Sequence, residues 1–162
     1  METRTPTAAG AAGVGRSGRI ARAAASAASD RAVVTALFVG FFVVRLPFRA
    51  KFLVNWDAVN FALGITESFN LQHHQPPPPG YIGYVAVGRG LAWLTGEANA
   101  GLTLMSVIAG AVAPASLYLL ARRFVDRRPA LIAALLFGTA PLVWYYSVVA
   151  LTYIVAAAVI VP

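Results

Sequence analysis

The stretch Ala98–Ala121, ANAGLTLMSVIAGAVAPASLYLLA, runs for 24 residues without a charge and is followed at once by Arg122, Arg123, Arg127 and Arg128 around a single Asp126. A helix rising about 1.5 Å per residue needs roughly 20 apolar residues to cross the hydrocarbon of a bilayer. The run therefore reads as one full crossing, stopped by a cluster of cations.

Working outward, residues 129–162 also lack any charge, and 34 residues are too many for one crossing and too few for two. Thr139, Ala140 and Pro141 break the run, and the polar, aromatic stretch from Trp144 to Thr152 divides it again. Spans are expected at about 129–146 and at 152–162, the latter incomplete. Before the central run, residues 32–44 (AVVTALFVGFFVV) are uncharged, and Leu46, Pro47 and Phe48 extend them if Arg31 and Arg45 snorkel. That gives a first span at about 32–48, with the second at about 100–121.

Residues 1–31 are rich in Ala, Gly, Ser and Arg and poor in large apolar side chains. Such a segment buries too little surface to offset its ordering entropy, so a disordered basic cytoplasmic tail is expected. It also has the Arg- and Ser-rich, acid-poor look of a transit peptide, but no small-residue cleavage pattern follows Val44.

Whole-chain composition agrees with this reading. Of 162 residues 59% are hydrophobic and 12% charged, with a mean hydropathy of +0.69, where a soluble domain carries roughly 25% charge. The absence of cysteine excludes disulfides, thiolate zinc clusters and cysteine nucleophiles. The formal charge of +7 is not a nucleic-acid footprint, because the 13 basic residues flank apolar runs instead of forming one patch interleaved with aromatics.

Charge by region sets the topology. The tail to Arg31 and the 122–128 loop each carry a net +3, whereas residues 32–121 carry +1. Under the positive-inside rule both flanks lie in the cytoplasm, so an even number of crossings separates them. The apolar segment at residues 81–94, YIGYVAVGRGLAWL, is then no span but a helix lying in or re-entering the outer interface. Residues 49–99 form an outer loop on the non-cytoplasmic face.

Within that loop, NWDAVNFALGITESFN places Ala58, Phe61, Ala62, Ile65 and Phe69 on one helical face and Asp57, Asn60, Gly64 and Glu67 on the other. Asp57 has two readings at this stage, a helix cap or a carboxylate set at the membrane surface beside Arg45, Arg49 and Lys51 for chemistry. Glu67, about 15 Å further along the helix, reads as a solvated charge. LQHHQPPPPGY follows, and its four prolines suggest a stiff, extended strut. His73 and His74 form a pair without a clear third metal ligand. Arg89 serves either lipid headgroups or a bound phosphate.

The order of these pieces is specific: a span, WD on an amphipathic helix, HQPPPPGY, a helix ending LTGEANA, a span ending LYLLARRFVDRR, then PLVWYYSVVALTY. From about residue 31 to 162 the chain resembles the N-terminal part of a GT-C glycosyltransferase related to protein O-mannosyltransferases, aminoarabinose transferases and bacterial family 39-like membrane enzymes. The resemblance implies an all-α, multi-pass helical bundle in the cell (inner) membrane, with a polyprenyl-phosphate sugar donor and inverting transfer of a hexosyl or pentosyl group to an acceptor hydroxyl. It implies Asp57 as the catalytic carboxylate of the first outer loop, activating the acceptor as a base or helping to hold a metal, and Lys51, His74, Gln75, Tyr81 and Arg89 as substrate-binding residues. No cofactor is required by it, though a divalent metal is compatible; membrane lipids are the other partners, and the acceptor is open. Two departures stand out: relatives often carry an acid near the positions of Val148 or of Leu151, Thr152 and Tyr153, and some at Ala156, and this chain has none. Such enzymes also have more spans than the roughly four found here, which leaves as the alternative a non-catalytic truncated membrane protein or an assembly partner. A transporter fits less well, since the spans show neither an intramembrane acid nor an inverted repeat.

Overall fold

The computed structural model describes the backbone of residues 8–160 and the side chains of residues 25–160. Helix α1 (Ala8–Arg45) ends in a single 3-10 turn at Leu46–Phe48, and α2 (Trp56–Thr66), α3 (Ile82–Thr95), α4 (Ala98–Ala121), α5 (Arg127–Thr139), α6 (Pro141–Tyr146) and α7 (Tyr153–Ile160) follow. Among the described residues there is no strand, only an isolated bridge between Asn70 and Gln75. Two segments, Ala25–Phe48 and Ala98–Ala121, each of 24 residues with mean hydropathy 1.8 and 1.9, are long and apolar enough to cross a membrane. The result is an all-α membrane fold.

The chain falls into two compact units, Met1–Val33 and Val34–Pro162. The first is helical from Ala8 onward where a structureless tail was expected, and residues 1–7 of that tail lie outside the described residues. The alanines that leave it without a core are also the strongest helix formers.

Arg45 does not snorkel to the interface. It is fully buried, donating from Nη1 to the Gly110 carbonyl at 2.6 Å and from Nη2 to the Gly138 carbonyl at 2.5 Å. The sequence explains why those two oxygens are free. Gly110 lies four residues before Pro114, which has no N–H to give it. Gly138 lies in the last turn of α5, where the helix breaks at Ala140 before Pro141. The guanidinium replaces both missing donors and lies against the faces of Phe41 and Trp144, 4.6 and 5.4 Å from their ring centres. The uncharged 129–146 stretch is thus divided between α5, which begins at Arg127, and the 6-residue α6, with a break beside Arg45.

Helices α3 and α4 form a hairpin. Gly96, at φ 78°, ends α3 in the left-handed conformation that glycine adopts without penalty. The helices then pack side by side: a side chain at Gly101 would strike the Ala92 backbone at 2.4 Å, and one at Gly88 would strike Leu102 at 2.9 Å. These contacts run in opposite directions along the two helices, so α3 runs back beside the first turns of α4. With 14 residues, about 21 Å by the helical rise, it falls short of the hydrocarbon thickness.

Helix α2 completes the layer. Ala58, Phe61, Ala62 and Ile65 face Tyr84 and Val85 of α3 and Leu102 and Met105 of α4, the apolar stripe that the 3.6-residue period marks out. Fully burying such side chains stabilises by about 1.5–3 kcal/mol each.

Candidate functional site

Asn55, not Asp57, caps α2: its side-chain oxygen accepts from the Ala58 N–H at 2.9 Å. Asp57 stands in the exposed first turn, where the helix dipole favours an anion, and among the described residues its carboxylate has no hydrogen-bond or ion-pair partner. It borders a cavity of about 180 Å³. One wall is Phe61 and Tyr81, whose rings meet edge to face at 5.5 Å. Pro77 and Pro78 form the second, and Leu151, Thr152 and Tyr153 close the third.

The proline block is a folded strap and not the extended strut expected from composition. The Gln75–Pro76 and Pro78–Pro79 bonds are cis, and the Gly80 N–H donates to the Pro77 carbonyl at 2.9 Å, closing a turn. The strap crosses α2 at Gly64, where any side chain would approach the Pro76 nitrogen to 2.9 Å. At its start Asn70 and Gln75 exchange backbone hydrogen bonds of 2.6 and 2.9 Å around the Leu71–His73 turn. Gln75 is half-buried there, and His74 is exposed, in the left-handed region at φ 57°. Tyr81 also has a positive φ, 42°, and opens α3 with its ring toward Phe61.

Arg89 is exposed and reaches back to α2. Its Nη2 donates to the Gly64 carbonyl at 3.0 Å and its Nε to the Ile65 carbonyl at 3.2 Å. Both oxygens belong to the last turn of α2, which lacks intrahelical donors, so Arg89 anchors the helix that carries Asp57. Lys51 lines a different cleft, with Arg49, Glu97 and Asn99.

The third wall comes from the loop between α6 and α7. Its residues Ser147 to Leu151 are buried, and the Val148 carbonyl accepts from the Ala50 N–H at 2.8 Å. Thr152 and Tyr153 bring hydroxyl-bearing residues to the cavity that Asp57 also lines. The polar interruption of an otherwise apolar run was their signal in the sequence, but nothing there paired them with residue 57. The cavity offers one carboxylate and no imidazole, and no three His, Cys, Asp or Glu side chains come together among the described residues; this donor set does not fit a divalent metal. Tyr84, beneath the site, is buried, its hydroxyl has no hydrogen-bond partner, and burial pushes its phenol above the ordinary range.

Asp57 thus lines a small cavity where two inter-helix loops of an all-α membrane fold meet. The chain belongs to the dolichyl-phosphate-mannose-protein mannosyltransferase family, whose model matches residues 78–161, just over half of its length. The matched part holds Tyr81, Arg89 and the 151–153 wall; Lys51, Asp57, His74 and Gln75 precede it. No curated protein and no solved structure matches the chain.

Proposed function

We propose that the chain carries the first catalytic loop of a glycosyltransferase that moves a sugar from a polyprenyl-phosphate donor to an acceptor hydroxyl on the non-cytoplasmic face of the cell membrane, with Asp57 as the general base. The observation that carries this reading is the position of Asp57. Capping of α2 falls to Asn55, and Asp57 lines one cavity together with Tyr81, Leu151, Thr152 and Tyr153, which lie within the family match.

In the step itself, the acceptor oxygen bonds to the anomeric carbon as its proton passes to the Asp57 carboxylate. The bond between that carbon and the phosphate oxygen breaks with its electron pair staying on the lipid phosphate, and the anomeric centre inverts. Tyr81 and Thr152 line the volume in which the sugar would sit, Gln75 and His74 hold the strap that closes it, and Arg89 keeps α2 in register. A donor whose tail stays in the bilayer presents its sugar at the membrane surface, which is where a loop joining two membrane-length helices lies.

Asp57→Asn keeps the shape of the side chain and removes the base. In membranes containing the protein and a polyprenyl-phosphate sugar, transfer is expected to fall by about 10²–10⁴-fold, the range for losing a general base, with the amount of inserted protein unchanged. Undiminished transfer by Asp57→Asn would refute the role and leave the non-catalytic reading.

A further inference from the structure

A second polar cleft, of about 270 Å³, opens where the two membrane-length segments end, between the chain leaving Phe48 and the first turn of α4. The two strands are tied there: Arg49 Nη1 donates to the Ala100 carbonyl at 3.3 Å, and Asn99 Nδ2 to the Ala50 carbonyl at 3.0 Å. Because both apolar segments stop at this point, the cleft stands at the depth of lipid headgroups whichever way the chain crosses. Asp57 is not among its lining residues.

Its chemistry is two-sided. Arg49 and the exposed Lys51 supply positive charge beside the opening turn of α4, whose backbone N–H groups have no intrahelical acceptors, an arrangement suited to a phosphate. Against them stand the exposed Glu97 carboxylate and Asn99. Asn99 is only 7% exposed, and its Oδ1 has no hydrogen-bond partner. A buried acceptor without a donor is costly, and a phosphate, which has only acceptors to offer when ionised, leaves it unsatisfied. A group carrying both a phosphodiester and an N–H donor satisfies every side of the cleft.

We infer that this cleft binds the headgroup of a phosphoethanolamine lipid, the phosphodiester meeting Arg49, Lys51 and the α4 N-terminus and the ammonium donating to Asn99 Oδ1 and the Glu97 carboxylate. A trimethylated headgroup carries the same charges but has no N–H, so it cannot fill the acceptor side. The inference does not depend on Asp57 or on the transfer reaction.

The test uses the full chain, purified in detergent and stripped of lipid. It is titrated with dioleoyl phosphatidylethanolamine, phosphatidylcholine and phosphatidylglycerol, and bound lipid is read by native mass spectrometry. Phosphatidylethanolamine is expected to bind on the order of tenfold more tightly than phosphatidylcholine, the value of one charge-assisted hydrogen bond. Glu97→Gln should bring that ratio toward one, and Lys51→Gln should weaken both lipids while leaving the ratio in place; both side chains are exposed, and helical circular dichroism checks that the variants fold. Equal retention of the two zwitterionic lipids by the unaltered chain overturns the inference, as does a preference that survives Glu97→Gln. Phosphatidylglycerol outcompeting phosphatidylethanolamine also overturns it, marking a plain anion site.

Discussion

Asn55 and Asp57 stand two residues apart at the start of α2, and the cap falls to Asn55 although either side chain is of a type that caps helices. Asn55 accepts the Ala58 N–H, so Asn55→Ala is expected to cost about 1 kcal/mol of stability, read as a lower thermal midpoint in detergent. Asp57→Ala leaves that cap in place and should move the midpoint far less. Tyr84 gives a second prediction at this scale. Its buried phenol holds its proton more tightly in the fold than in the unfolded chain, where a tyrosine ionises near pH 10. Because the folded pKa is raised, the stability tied to the neutral phenol is complete below about pH 10 and declines as the pH rises beyond it. Thermal melts between pH 8 and 11 should show that decline weakened in Tyr84→Phe, with no penalty at neutral pH because the lost hydroxyl has no hydrogen-bond partner.

At the level of elements, the joint between α1, α4 and α5 is built around two carbonyls that their own helices cannot satisfy. Arg45→Met should strand the Gly110 and Gly138 oxygens, at about 1–3 kcal/mol for each buried unsatisfied acceptor. Pro114→Ala restores an N–H four residues after Gly110, so in the Pro114→Ala background the same Arg45→Met change should cost less. The four midpoints of that double-mutant cycle, measured in detergent, check the coupling, and additive effects would show that Arg45 and Pro114 act independently. The α2–α3 layer is held in a related way, since Arg89 ends α2 and glycines 64, 88 and 101 let the strap and the helices close on one another.

On the scale of the whole molecule, the expected topology rests on where charge sits. With no native cysteine, single cysteines at residues 57, 89 and 125 report sidedness directly through an impermeant thiol reagent added to intact cells. Labelling is expected at 57 and 89 and not at 125. The opposite pattern would place Asp57 in the cytosol and remove the proposed donor geometry. Two membrane-length segments are present among the described residues. Pro114 bends no sequence argument, since α4 continues through it, whereas Pro141 follows a true break that divides α5 from α6.

Periodicity and uninterrupted apolar length are local properties, and from them alone came the all-α membrane class, the α2 stripe, the extent of α4, and Asp57 on an amphipathic helix. Pairings between distant residues are not local. That Asn55 and not Asp57 is the cap, that Arg89 turns to α2, that Arg45 faces inward, and that Thr152 and Tyr153 line the same cavity as residue 57 were settled only when the helices packed. Each depends on which backbone oxygens were left without donors, or which loops came to lie together, once every helix had its neighbours; no run of residues records that.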